Sequence, residues 1–123
     1  MTVMDNYLKE LAKSTNGESH VYPGFDAVST TAITTDVTDT SLDGEIGTRL
    51  TLTGTRVDNQ VQWSGLRLST DVVDTSSGDT LQSMGMLSAS SAGTLFTEQS
   101  PFKLLHTTSF EIEFINNIIF RRP

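Results

Sequence analysis

The sequence predicts a mainly β protein, an antiparallel β-sandwich or jelly-roll-like fold with one short N-terminal α-helix. Three observations lead there. Short stretches of alternating apolar and polar residues recur along most of the chain, at the spacing of strands joined by tight turns. Thr, Val, Ile and Phe fill those stretches, while Ser, Asn, Asp and Gly fill the gaps between them. Only the first dozen residues keep a different period, with Met4, Tyr7, Leu8 and Leu11 at i, i+3, i+4 and i+7.

The helix is expected within residues 1–16, with Thr2 and Asp5 spaced as a capping box and Gly17 as the stop. Three helical turns are marginal alone, so this stripe must lie against a sheet or a partner chain. The β-sandwich is expected over residues 20–123, in one domain spanning 1–123. A chain of this length buries about two-thirds of its unfolded surface, enough for one core.

The first strand is placed near Phe25–Val28, followed by a polar loop through Thr34–Leu42. Leu50 and Leu52 alternate with Thr51, Thr53 and Thr55 as in a half-buried strand, and Asp58-Asn59 marks a turn. Val61 and Trp63 open the next strand. Leu66 and Leu68 resume its apolar series one residue out of phase, so a bulge is expected near Ser64-Gly65. Asp71–Asp79 reads as a loop, Leu81–Leu87 as a strand, Ser90–Gly93 as a turn and Thr94–Thr97 as a short strand. In the last strand Phe110, Ile112 and Phe114 alternate with Ser109, Glu111 and Glu113.

Beyond Phe114 the run Ile115-Asn116-Asn117-Ile118-Ile119-Phe120 puts apolar residues on both faces, which a water-facing edge strand tolerates badly. Its cover is expected to be the N-terminal helix or an adjacent subunit. The expected assembly interface is therefore Tyr7, Leu8 and Leu11 on the helix with Ile115, Ile118, Ile119, Phe120 and the basic pair Arg121 and Arg122.

Composition narrows the function. A formal net charge of −7 with eight scattered basic residues disfavours nucleic acid as a partner. The preference for Arg over Lys and Asp over Glu suits a high-salt host. No run of about 18 apolar residues suggests a membrane span, and nothing at the N-terminus reads as a targeting segment. With no cysteine, disulfide and thiolate chemistry are excluded.

No HExxH pair, Gly-x-Ser-x-Gly elbow or phosphate-binding glycine loop is present. His20 is read as a surface residue and His106 as a partly packed loop residue. Asp36, Asp39 and Asp43, and likewise Asp71, Asp74 and Asp79, lack calcium-loop spacing and are read as turn formers. No cofactor is expected, a calcium ion at a subunit contact being the alternative those carboxylates leave open. Glu111 and Glu113 share the solvent side of their strand, and Trp63 with Met84 and Met86 is assigned to the core.

Several landmarks recur in a telling order. They are Tyr7-Leu8-Lys9-Glu10-Leu11, the Thr34–Thr40 loop, Ser41-Leu42-Asp43-Gly44-Glu45-Ile46-Gly47-Thr48-Arg49, Met84-Gly85-Met86-Leu87, Ala92-Gly93-Thr94-Leu95-Phe96, Pro101-Phe102-Lys103 and Phe110–Phe114. In this order the chain resembles a family of small virion structural proteins of tailed phages and archaeal viruses, β-modules of tail-fibre, collar or capsid-decoration type. It departs from the family pattern at Ala27–Thr31, where a Gly-Thr-Gly turn is usual. The resemblance implies a non-enzymatic virion protein that forms a homo-oligomer on the capsid surface, neck or tail and contacts other virion proteins. The alternative expectation is a carbohydrate- or receptor-binding β-module of a tail fibre or baseplate, using Trp63 and loop aspartates against a host-surface receptor.

Overall fold

The computed structural model describes residues 1–122; Pro123, the last residue of the expected domain, lies outside the described residues. Element order is β1 (Thr2–Val3), α1 (Asp5–Thr15), β2 (Phe25–Ser29), β3 (Glu45–Thr51), β4 (Thr53–Val57), β5 (Gln60–Arg67), a 3-10 turn (Ser69–Asp71), β6 (Asp79–Leu81), β7 (Ser83–Leu87), β8 (Leu95–Gln99), β9 (Leu104–His106) and β10 (Ile112–Ile119). The protein is mainly β, its sheets are antiparallel, and one helix stands at the N-terminus. A five-stranded sheet in the order β1-β8-β7-β2-β3 faces a three-stranded sheet β10-β5-β4 in a sandwich-like arrangement, with β6 and β9 pairing beside them.

The helix begins differently from the expectation. Thr2 and Val3 pair with Glu98 and Thr97 as a short edge strand, so Thr2 is not free to cap. Met4, extended at φ −80° and ψ 153°, becomes the N-cap without a side-chain bond, and the Asp5 amide instead donates to the Val37 carbonyl at 2.8 Å. The stop is as read: Gly17 sits at φ +72°, with Gly17 N–H donating to the Ser14 carbonyl and Glu18 N–H to that of Lys13. That pairing closes the last turn and needs a left-handed residue, which glycine adopts without steric cost.

Glu45–Val57 is nearly continuous extended chain that passes between sheets. β3 pairs with β2 and β4 pairs with β5, and the buried Leu52 marks the crossing. No bulge occurs at Ser64-Gly65, where β5 keeps an unbroken register with β10 through Ser64↔Ile115 and Gly65↔Phe114. The alternation never slips there; its polarity inverts. Leu66 and Leu68 face outward and Arg67 faces inward. Register shifts lie instead opposite Ala27, where Gly47 at φ +65° lets β3 bulge, and between Met86 and Leu87, where Phe96 is the extra residue of β8.

Three apolar clusters form the core. Tyr7, Leu52, Trp63, Met86 and Phe96, joined by Val3, Leu11, Val61 and Ile118, fill one end of the space between the sheets. Val28, Leu50, Leu81, Met84 and Phe114 fill the other. On the far side of the five-stranded sheet, Leu42 and Ile33 of the β2–β3 connection close over Met4, Ala27, Leu87 and Leu95.

Candidate assembly surface

The outer face of the three-stranded sheet is set by strand period two. Glu113, Ile115, Asn117 and Ile119 of β10 lie opposite Leu66, Ser64, Gln62 and Gln60 of β5. Thr53, Thr55 and Val57 of β4 continue the last three rows. Glu113 is the only charged residue of this set. Four apolar members stay open to water: Leu66 is 49% exposed, Val57 67%, Ile115 50% and Ile119 44%. Four exposed apolar side chains set among uncharged polar ones, with a single carboxylate, make this face the candidate surface.

β10 also ends its sheet. Phe120 N–H donates to the Asn59 carbonyl at 2.9 Å, one step beyond the Ile119↔Gln60 pair. Hydrogen bonding alternates along an antiparallel strand, so even-numbered β10 residues bond to β5 and the backbone groups of Glu113, Ile115, Asn117 and Ile119 point to the free edge. The other edges of the two larger sheets are blunted. β1 has two residues, β3 is bulged, and the five-residue β4 contains Gly54 and Arg56, whereas β10 runs eight residues without proline, lysine or bulge.

The structure divides the nine residues expected at an interface. Tyr7 is buried in an edge-to-face contact with Phe96, ring centroids 5.2 Å apart, and Leu11 and Ile118 pack in the same cluster. These three belong to the core cluster between the sheets. Leu8, Ile115, Ile119, Phe120, Arg121 and Arg122 are exposed. The outer side of β10 is open.

A buried polar centre holds the neighbouring end of the sheet, and sequence reasoning missed it. His106 is wholly buried on β9, not a partly packed loop residue, and Asp79 opens β6 and is buried. The Arg67 guanidinium, also wholly buried, donates through Nε to His106 Nδ1 at 3.0 Å, and through one terminal nitrogen to Asp79 Oδ2 at 3.0 Å and the Asp71 carbonyl at 2.8 Å. A guanidinium only donates, so His106 Nδ1 accepts, which places the imidazole proton on Nε2, donating to the Phe110 carbonyl at 2.9 Å. Asp79 accepts the Val73 and Asp74 amides as well. Burial raises its carboxyl, but those two amides and Arg67 outweigh burial and hold it below the ordinary carboxylate value. The other terminal nitrogen of Arg67, Nη1, is buried without a hydrogen-bond partner among the described residues. One signal was legible in the chain: Arg67 occupies the inward phase set by Val61, Trp63 and Gly65.

Two more carboxyls are buried. Asp26 of β2 faces β10, where Asn116 Nδ2 donates to it at 3.3 Å, and burial pushes it up to about 7 against that hydrogen bond. Glu98 of β8 lies on the opposite side of the sheet, and burial, then the carboxylates of Asp39 and Asp43, push it up to about 7. The remaining loop aspartates make turns: Asp36 accepts the Thr38 amide, Asp74 the amides of Ser76 and Ser77, and Asp71 that of Leu68. Among the described residues no group of three or more His, Cys, Asp or Glu is placed to hold a metal ion, and no helix is long and apolar enough to cross a membrane. Trp63 is buried beside Tyr7 and Phe96, and His20, Glu111 and Glu113 are exposed.

Compared with known proteins, the chain matches no family model, no curated protein and no solved structure.

Proposed function

We propose that this chain is a non-enzymatic structural protein of a tailed-virus particle, assembling as a homo-oligomer on the capsid surface, neck or tail. The observation that carries the assembly part is the outer side of β10: a nearly charge-free sheet face that exposes Leu66, Val57, Ile115 and Ile119, beside an unpaired eight-residue edge. A second copy of the chain is the occupant that fits. At a net charge of −7, two copies repel over most of their surfaces, and this face is where contact adds least like-charge repulsion. The virion part rests on the order of landmarks from Tyr7 to Phe114.

The burial of Trp63 counts against the glycan-binding alternative, because an indole packed under Tyr7 and Phe96 offers no platform for a sugar ring. Light scattering across a concentration series, followed by sedimentation with purified tailed-virus particles, tests the proposal. Self-association with recovery in the particle fraction is expected. A chain that stays monomeric at high concentration and remains in the supernatant would end it.

A further inference from the structure

We infer that the free edge of β10 pairs with β10 of a second copy, antiparallel and centred on Asn117, joining two three-stranded sheets into one. The inference rests on the homo-oligomer reading above and specifies its contact.

The backbone restricts the choice of register. Only the odd-numbered residues of β10 present N–H and C=O to the free edge, so an antiparallel ladder must match odd with odd. Centring the pair on Asn117 sets Ile115 opposite Ile119, and Glu113 opposite Arg121, the residue that continues the odd phase past the strand end. Acid meets base at both ends, apolar meets apolar inside them, and an amide meets itself on the two-fold axis. Directly opposite side chains are the pairs that stabilise a sheet. On the inner side the same register brings Phe120, 45% exposed, opposite Phe114. One step along, centring on Asn116 sets Ile115 opposite Asn117 and Glu113 opposite Ile119, which loses the apolar match and keeps an acid–base pair only between Glu111 and Arg121. A further step, centring on Ile115, sets Glu113 opposite Asn117 and Glu111 opposite Ile119, and loses both matches. A parallel arrangement sets Glu113 and Arg121 against their own copies and repels at both ends.

The remaining polar groups fit this contact. The Asn117 side chain accepts from Gln60 Nε2 at 3.0 Å, which holds it over its own sheet. Glu113, Arg121 and Arg122 are exposed, and no ion pair within the chain engages them among the described residues. Such pairing is isologous, so it closes at two copies and leaves the β4 edges for other contacts.

The absence of cysteine makes the register directly testable, since an introduced thiol has no competitor. In a hydrogen-bonded antiparallel pair the Cα atoms are about 5.5 Å apart, within the span a disulfide bridges. Asn117→Cys should therefore form a disulfide dimer under mild oxidation. Ile115→Cys alone should not, but should cross-link when mixed with Ile119→Cys. Arg121→Glu should weaken self-association at least tenfold by sedimentation equilibrium, and Glu113→Arg added to that chain should restore it. Thermal unfolding of each variant checks that these exposed substitutions leave the fold intact. If Ile115→Cys cross-links with itself as well as Asn117→Cys does, the register is overturned. If the native chain associates while no Cys pair cross-links and the double charge variant is not restored, the β10 pairing is overturned and assembly through another face stands. A native chain that is monomeric throughout overturns both.

Discussion

At the scale of single residues, Arg67 is the most consequential side chain that composition alone would place on the surface. Its charge is buried, and it holds His106, Asp79 and the Asp71 carbonyl together, so it ties β5 to β6, β9 and the 3-10 turn. Removing one member of a buried charged pair leaves the other uncompensated. Arg67→Met should therefore lower unfolding free energy by about 3 kcal/mol, the lower end of the range for such losses, because Asp79 retains two amide donors. Arg67→Lys should recover little of it, since a single ammonium does not reproduce a fork that reaches three acceptors. Urea unfolding measures both, and a loss below about 1 kcal/mol for Arg67→Met would show that the centre is not a structural hub.

At the scale of elements, the helix shows how far pattern reaches. The i, i+3, i+4, i+7 spacing located α1 and its glycine stop, but placed Tyr7, Leu8 and Leu11 on one stripe with one role. Packing separates them: Tyr7 meets Phe96, and Leu8 is 57% exposed. Tyr7→Ala should cost about 3 kcal/mol or more as a large aromatic leaves the core, while Leu8→Ala should stay within about 0.5 kcal/mol. Equal costs would mean that α1 is seated differently.

The strands were legible where one face was apolar and the other polar, as in Ile112–Phe114, but Leu50–Thr55, read as one strand, is the end of β3 and the start of β4 in two different sheets. The pattern became misleading in β5, where inward Gly65 and Arg67 and outward Leu66 and Leu68 mimic a bulge. β9 was missed because three residues carry too little periodicity, and the capping box failed because β8 claimed Thr2 for its edge. The β10 surface was foreseen from apolar residues on both faces of one strand. Which of the two faces remains open depends on how β5 and α1 pack, and a linear pattern does not carry that.

At the scale of the whole molecule, the buried carboxyls set an unusual dependence on pH. Asp26 and Glu98 hold their protons up to about 7 in the folded chain, whereas unfolded carboxyls release them near about 4. Between those values the folded state binds more protons, so their contribution is complete below about pH 4 and is lost as pH rises to about 7. Asp79 works in the opposite sense. Its carboxyl is held below the ordinary value, so its contribution is present above that value and disappears as pH falls through the lowered one. Stability should thus be greatest in the mildly acidic range, with both protons leaving the chain two charges less negative than the formal −7. The urea midpoint should be higher at pH 5 than at pH 8. Asp26→Asn should raise the unfolding free energy at pH 8 by on the order of 2 kcal/mol and change it little at pH 5. Glu98→Gln should act in the same direction. Asp26 faces β10 across the sandwich interior and Glu98 lies under the Asp39–Asp43 segment on the other side of the sheet, so the two effects should add. The double variant should then show a nearly flat profile from pH 5 to pH 8, and a native midpoint at pH 8 that equals or exceeds the one at pH 5 would show that neither carboxyl keeps its proton on folding.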